Sequence, residues 1–262
     1  MLRPRVVQAV AALLPLAVLA SRASAQHLHT NDRWRECAIV LDPGLTQGAW
    51  RQFAGELAVV TYFRPMASAA PLGRKHFEAG LVSWGTRIDD ADAAWNDTFS
   101  HPDGEHDLVE GATLQFPGLM ARAGVTDRAD VGAYFTKAIG ANYGVVGGQL
   151  QYALLHDPAR HLSAAGRITV VRLFGPEDMR ASTYGVELVA SRELSRFAPY
   201  VGVSGYVARA RETTPKVDLD AVSVLGAQAT VGINARLSIM RLGAELNLAR
   251  VPTTSVKLAL GR

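Results

Sequence analysis

The sequence predicts an all-β protein: an antiparallel transmembrane β-barrel of about 10 to 12 strands, with a short N-terminal amphipathic helix. Three observations point to this class. The chain opens with a leader of the secretory type. Most of the remainder alternates between apolar and polar residues. The polar members of that alternation carry few charges, which is typical of strands that face lipid on one side.

Residues 1–25 have the features of a secretory signal peptide. Arg3 and Arg5 form a basic start, an apolar run extends from Val6 to Ala20, and Ala23-Ser24-Ala25 fits a cleavage site. The apolar run contains Pro15 and is too short to span a bilayer comfortably. We therefore expect this leader to be removed and the protein to reside in the bacterial outer membrane.

Residues 26–55 form an N-terminal segment in which one short helix is predicted. Apolar residues recur there every four positions, at Leu45, Ala49, Phe53 and Leu57. Thr46 can cap the start of such a helix. The helix could plug the lumen, make a periplasmic contact or lie at the barrel rim. We favour the rim, because amphipathic helices commonly just cover apolar surface.

The predicted barrel occupies residues 56–262 and starts with a strand at Glu56–Phe63. Alternation is clear from residue 183 to 191, where Tyr184, Val186, Leu188 and Ala190 oppose Thr183, Gly185, Glu187 and Ser191. Comparable segments give about eleven strands of roughly 8 to 17 residues. An even number requires either one strand fewer or a twelfth, for which Cys37–Leu41 is a short candidate. Counting back from the last strand places the stretch Asp89–Glu110 outside the cell.

A soluble periplasmic β protein would also alternate, but its water-facing side is usually rich in Lys, Glu and Asp. Here that side is mostly Gly, Ser, Thr, Gln and Asn. Backbone groups in lipid must all be paired, so the strands must close into a barrel. The run Gly144–Gly148 lacks the Lys-Ser/Thr of a phosphate-binding loop and indicates close packing inside a narrow barrel. Aromatic residues near predicted strand ends suggest interfacial girdles, at Trp50, Tyr62, Phe63, Trp84, Tyr143, Phe174, Phe197 and Tyr200.

The charge balance gives no case for nucleic-acid binding. The chain has 27 Lys and Arg against 24 Asp and Glu, and three of the arginines lie in the leader. A single Cys excludes a disulfide framework, and no Cys/His cluster indicates a metal or cofactor. The stretch Asp89–Glu110 is strongly acidic, without Lys or Arg. We interpret it as a solvated loop rather than a divalent-cation site, because its spacing fixes no ligand geometry.

Nine polar residues are predicted to line the lumen: Glu56, Arg122, Asp130, Gln149, Gln151, Glu187, Arg241, Glu245 and Lys257. They could select solutes in a narrow channel or pair with one another in a packed, structural barrel. The sequence leaves these two open and assigns no catalytic residue. The expected partners are outer-membrane lipid and lipopolysaccharide, with the barrel-assembly machinery during biogenesis.

An outer-membrane lipid hydrolase is the alternative function. In His161-Leu162-Ser163 the histidine could activate a serine nucleophile, as in phospholipases and lipid A deacylases that carry a His-x-Ser-Asn core. Ala164 stands where that core has Asn, so the third, orienting group is missing. The strand count also places this connection in the periplasm.

Several runs resemble a family of uncharacterised Gram-negative outer-membrane β-barrel proteins. They are Tyr62–Pro65, Ala69–Gly73, Phe77–Gly80, Pro117–Leu119, Arg122–Gly124, Thr126–Gly132 and Gly147–Leu155. The resemblance implies a barrel that follows a short amphipathic segment, and it carries no substrate or catalytic residues. Members of that family usually end in an aromatic residue, which the barrel-assembly machinery is thought to read. This sequence ends Leu260-Gly261-Arg262.

Overall fold

The computed structural model describes residues 38–89, 91–100, 109–110, 113–137 and 140–262. Within them lie thirteen strands and two helices. In chain order these are β1 (Ala38–Ile39), α1 (Gln47–Val60), β2 (Phe77–Arg87), α2 (Ala93–Asn96), β3 (Phe99–Ser100), β4 (Val109–Glu110), β5 (Thr113–Gly124), β6 (Ala129–Lys137), β7 (Gly144–Asp157), β8 (Leu162–Phe174), β9 (Met179–Arg192), β10 (Phe197–Glu212), β11 (Val222–Leu237), β12 (Met240–Leu248) and β13 (Thr253–Gly261).

Ten of the strands form one closed antiparallel barrel. From β5 to β13 each strand pairs with the next in the chain, and β2 closes the ring by pairing with both β13 and β5. The predicted fold class is therefore confirmed, with ten strands. The short β4 pairs antiparallel with the first two residues of β5, and β1 pairs with β3 in a separate two-stranded sheet. The expectation that Cys37–Leu41 supplies a twelfth barrel strand was wrong.

The barrel wall is apolar outside and polar inside. In β9, Val186 and Leu188 expose 61% and 59% of their surfaces, whereas Glu187 between them is 7% exposed. Ile168 in β8 repeats this, since it is 58% exposed beside the buried Arg167. A continuous exposed apolar band around a closed barrel requires an apolar solvent, which a bilayer supplies. The protein is an outer-membrane β-barrel.

The two ends of the barrel differ in the length of their connections. At one end, the short-turn end, tight turns join neighbouring strands near residues 125–128, 158–161, 193–196 and 238–239. At the other, the long-loop end, the connections include residues 88–112 and 213–221. Barrels of this kind keep short turns in the periplasm and long loops outside the cell. The described parts of the acidic stretch Asp89–Glu110 thus lie at the long-loop end, which the strand count assigns to the outside of the cell.

Helix α1 lies inside the barrel, not at its rim as we expected. Thr46 caps it, because its hydroxyl accepts a hydrogen bond from the Ala49 N–H at 3.2 Å. Trp50 and Phe53 are fully buried among side chains of the wall. The helix continues through Glu56 to Val60, so the strand predicted at Glu56–Phe63 was also wrong. Among the described residues, neither helix is long and apolar enough to cross a bilayer.

Residues 61–76 continue from α1 without regular structure and reach the short-turn end, where β2 begins. We call residues 47–76 the plug. It starts at the long-loop end, where the Gln47 side-chain N–H donates to the Asp220 carbonyl oxygen at 3.2 Å. It ends at the opposite mouth, where the His76 carbonyl oxygen accepts from the Gly124 N–H at 2.8 Å. The plug therefore passes through the whole barrel.

Glycines of the wall make room for aromatic rings in the lumen, as the packing interpretation of the Gly-rich strands predicted. A Cβ at Gly232 would overlap the ring of Tyr200, and one at Gly185 would overlap the ring of Tyr62 in the plug. The predicted aromatic girdle was wrong for six of its eight residues, because their side chains are buried inside. These six are Trp50, Tyr62, Phe63, Trp84, Tyr143 and Tyr200.

Candidate functional site: the filled lumen

Wall side chains hold the plug backbone where helix α1 ends. The Trp84 indole N–H donates to the Val60 carbonyl oxygen at 2.7 Å, and the Tyr134 hydroxyl donates to the Thr61 carbonyl oxygen. Val60 is the last residue of the helix and Thr61 is its C-cap, and carbonyls at a helix end have no partners in the helix itself. The wall thus supplies the C-terminal cap of a helix in the middle of the barrel.

Arg64 binds the plug to strand β12. Its Nε donates to the Asn247 side-chain oxygen at 2.7 Å, and NH1 donates to the Tyr62 carbonyl oxygen at 2.9 Å. The side chain is buried, and Asn247 in turn donates to the Thr230 hydroxyl at 2.9 Å. The bend after the helix is therefore fixed by a cation that belongs to the plug.

Arg167, on β8, joins the plug to two neighbouring strands. Its Nε donates to the Gln151 side-chain oxygen at 2.8 Å, and NH1 pairs with the Glu187 carboxylate at 2.9 Å. NH2 donates to the carbonyl oxygens of Ala67 and Ser68 at 2.6 and 3.2 Å. Because the side chain has no exposed surface, each of these bonds replaces one that water would make outside.

A second ionic cluster lies nearer the short-turn end. The Glu78 carboxylate pairs with Lys257 and with Arg122, both at 3.1 Å. Arg122 also pairs with Asp130 at 3.2 Å. Lys257 donates a further bond to the Pro65 carbonyl oxygen at 3.0 Å, so this cluster also holds the plug.

Three more wall side chains bond to the plug backbone. Two accept from N–H groups and one donates to a carbonyl. The bonds are Ala69 N–H to the Ser191 hydroxyl at 3.0 Å, Leu72 N–H to the Asp130 carboxylate at 3.0 Å, and the Asn234 amide to the Met66 carbonyl oxygen at 2.6 Å. Polar wall residues therefore contact the irregular part of the plug from Thr61 to Leu72.

The buried charges along this part of the lumen balance. Four cations face four anions there, so neither sign is in excess. The cations are Arg64, Arg122, Arg167 and Lys257, and the anions are Glu78, Asp130, Glu187 and Glu245. Glu245 accepts a bond from the Tyr200 hydroxyl at 2.7 Å. A balanced, hydrogen-bonded interior of this kind stabilises one arrangement of plug and wall.

The structure places eight of the nine predicted lumen-lining residues on the inner face of barrel strands: Arg122, Asp130, Gln149, Gln151, Glu187, Arg241, Glu245 and Lys257. The ninth, Glu56, is on the plug helix, where it accepts from the Trp95 indole at 2.6 Å and pairs with Arg250 at 3.2 Å. Arg241 lies at the short-turn mouth and donates to the Ser238 carbonyl oxygen at 2.7 Å.

Sequence reasoning missed three central residues. Arg167 and Glu78 were detectable from the period of two. Each lies two positions from a small residue on the inward face of its own strand, Thr169 and Gly80 respectively. Arg64 gave no signal, because the segment around it has no periodicity.

The predicted pair of His161 and Ser163 is not formed. His161 lies in the turn with a φ of 56°, while the Ser163 hydroxyl contacts Nδ1 of His156 at 2.9 Å. Ser163 faces inward near the short-turn end and is 2% exposed, whereas His156 is exposed. No carboxylate of the described residues contacts His156, so the arrangement lacks the orienting group of a hydrolytic triad.

The described part of the chain contains no group of three or more His, Cys, Asp or Glu side chains that could hold a metal. Nine of the 22 residues of the acidic stretch Asp89–Glu110, namely 90 and 101–108, lie outside the described residues. Within it, Asp92 caps α2 by accepting from the Ala94 N–H at 3.0 Å and binds the Gln52 amide of the plug at 2.9 Å.

Comparisons with known proteins give structural neighbours only: no family model and no curated protein matches the chain. An outer-membrane channel from Pseudomonas putida F1 is 14% identical, with a TM-score of 0.41, over 76% of this chain and 99% of that one. LpxR from Salmonella typhimurium is 10% identical, with a TM-score of 0.37, over 69% and 99%. Neisserial surface protein A is 8% identical, with a TM-score of 0.28, over 71% and 95%.

Proposed function

We propose that this outer-membrane β-barrel is closed at rest by its own N-terminal plug and serves as a structural barrel rather than an open pore. The observation that carries the proposal is the continuous set of hydrogen bonds from buried wall side chains to the plug backbone. These bonds run from Val60 in mid-barrel to Leu72 near the short-turn mouth. An open pore would instead leave its polar wall side chains to water.

The spaces left inside the barrel are consistent with a closed lumen. Between α1 and strands β8 to β10 there is a cavity of about 10 Å³, which is room for no more than about one water molecule. At the short-turn end a vestibule of about 200 Å³ is bounded by plug residues 67–72. Solutes that enter this vestibule meet the plug before they reach the middle of the barrel.

Conductance across a planar lipid bilayer tests the proposal. We expect the wild type to insert without steady ion current. Arg167→Met should produce brief openings, because it frees the plug at Ala67 and Ser68. Arg192→Met, which removes an exposed arginine from the outer face of β9, is the control and should stay silent. Steady current through the wild type would contradict the closed state and favour the narrow channel for small polar solutes.

A further inference from the structure

Four arginines form a patch on the lipid-facing wall near the long-loop end. They are Arg172 on β8, Arg180 on β9, and Arg209 and Arg211 on β10. All four are exposed, and each occupies an outward position of its strand. We call them the arginine patch; none belongs to the lumen network.

The strand register places the patch in two rows. Ser182 on β9 is directly opposite Arg172 on one neighbouring strand, β8, and directly opposite Arg209 on the other, β10. One row therefore runs across these three strands. In the second row, nearer the loops, Arg180 is directly opposite Arg211. Opposite positions in a sheet are roughly 5 Å apart, so all four guanidinium groups can reach one ligand.

The patch lies at the upper border of the apolar band. On β8 the outward residues below Arg172 are Val170 and Ile168. On β10 the exposed Val203 and Val201 lie below Arg209 on the same face. In a barrel with its long loops outside, this height corresponds to the headgroups of the outer leaflet.

The patch is not neutralised within the described part of the chain. None of its arginines forms an ion pair there, and the shallow depression of about 450 Å³ that they line contains no Asp or Glu. Like charges directly opposite one another, as at Arg180 and Arg211, destabilise a sheet. Among the described residues, the patch has one attractive contact: Arg209 lies over the Tyr184 ring, 5.8 Å from its centroid, which orients a guanidinium beside the depression.

We propose that the arginine patch binds the phosphate groups of lipopolysaccharide in the outer leaflet. Guanidinium groups bind phosphate oxygens through paired, charge-assisted hydrogen bonds. Ser182 and Ser223 add hydroxyls to the same depression. Two classes of lipid, lipid A and glycerophospholipids, carry such a phosphate on the headgroup. The position beside the outer leaflet commits the proposal to lipid A. The patch lies outside the barrel, so its occupancy is independent of whether the lumen conducts.

The test compares lipid binding by the full-length protein in detergent, by native mass spectrometry. The probes are lipid A with two phosphates, monophosphoryl lipid A, phosphatidylglycerol and inorganic phosphate. The test variant is Arg180→Gln with Arg209→Gln. The matched control, Arg128→Gln with Arg192→Gln, removes two exposed arginines from the short-turn half. Heat-modifiable gel mobility shows that each variant is folded, and the outward positions leave the lumen network intact.

We expect the patch variant to bind lipid A about tenfold more weakly, because two of four charge-assisted contacts are lost. The control variant should bind like the wild type, and monophosphoryl lipid A should bind more weakly than the two-phosphate form. Equal losses in both double variants would contradict the proposal, since attraction would then follow net charge alone. Equal binding of phosphatidylglycerol and lipid A, or binding of inorganic phosphate alone, would also overturn the assignment to lipopolysaccharide.

Discussion

Arg167→Met should destabilise the barrel far more than the loss of an arginine from its outer face. The substitution keeps most of the side-chain volume but removes the guanidinium that pairs with Glu187 at 2.9 Å and bonds to Ala67 and Ser68. Glu187 is then a buried carboxylate without its ion pair. Breaking such a pair costs about 3–5 kcal/mol. We expect the lower end of this range if water can reach Glu187.

Urea unfolding in lipid vesicles, followed by tryptophan fluorescence, measures this loss. Trp50 and Trp84 are buried inside the barrel, and Trp95 packs against Phe53 of the plug, so all three report on the lumen. Arg192→Met is the control and should change the free energy of unfolding by less than about 0.5 kcal/mol, as surface substitutions usually do. The double variant Arg167→Met with Glu187→Gln removes the stranded charge. It should recover at least about 1.5 kcal/mol of the loss, a coupling typical of residues in contact.

The reasoning would be refuted in either of two ways. Arg167→Met could unfold at the same urea concentration as Arg192→Met. Alternatively, Glu187→Gln could add its own loss to that of Arg167→Met, with no recovery. Either result would mean that the ion pair and the bonds to the plug contribute nothing measurable to the folded state.

Three further predictions concern packing, topology and the lipid face. Gly232→Ala should cost about 1–3 kcal/mol by overpacking against Tyr200, whereas Gly205→Ala, whose Cβ meets only a carbonyl at 3.9 Å, should be close to neutral in the same urea assay. With Cys37 replaced by Ser, Gly48→Cys at the start of the plug should react with a membrane-impermeant maleimide on intact cells. Arg74→Cys at the opposite mouth should not react. The reverse result would mean that the short-turn end, not the long-loop end, faces outside the cell. Leu188→Arg in the apolar band should cost about 2–4 kcal/mol in lipid, and Leu194→Arg in a short turn about 0–1, as unfolding in vesicles can show.

The barrel could be predicted from sequence because its signal is local. Outward residues such as Val186 and Leu188 alternate with Glu187 and Gly185, and this period of two fixes which face meets lipid. The same parity placed the long acidic stretch outside the cell. The polar content of the inner face, with few charges, separated a membrane barrel from a soluble sandwich.

The plug could not be predicted in the same way. The sequence from Leu57 to Phe63 is rich in β-branched and aromatic residues, which favour a strand when considered alone. In the folded protein its first half is helical, since every residue of α1 from Phe53 to Val60 is buried within the barrel. After Thr61 no periodicity remains, and the path is set by long-range bonds such as those from Arg167 and Lys257. The arginine patch also went unnoticed, because its members are distant in sequence and meet only through strand register.

Disulfide trapping tests most directly whether the helix lies inside the barrel. A Cβ at Gly55 on α1 would be 4.0 Å from Cβ of Val224 on the inner face of β11, within the range for a disulfide. In a Cys37→Ser background, Gly55→Cys with Val224→Cys should cross-link in the outer membrane of growing cells. Gly55→Cys with Leu225→Cys should not, because Leu225 is 83% exposed on the lipid face. No cross-link at Val224, or equal cross-linking at both positions, would contradict a plug threaded through the lumen.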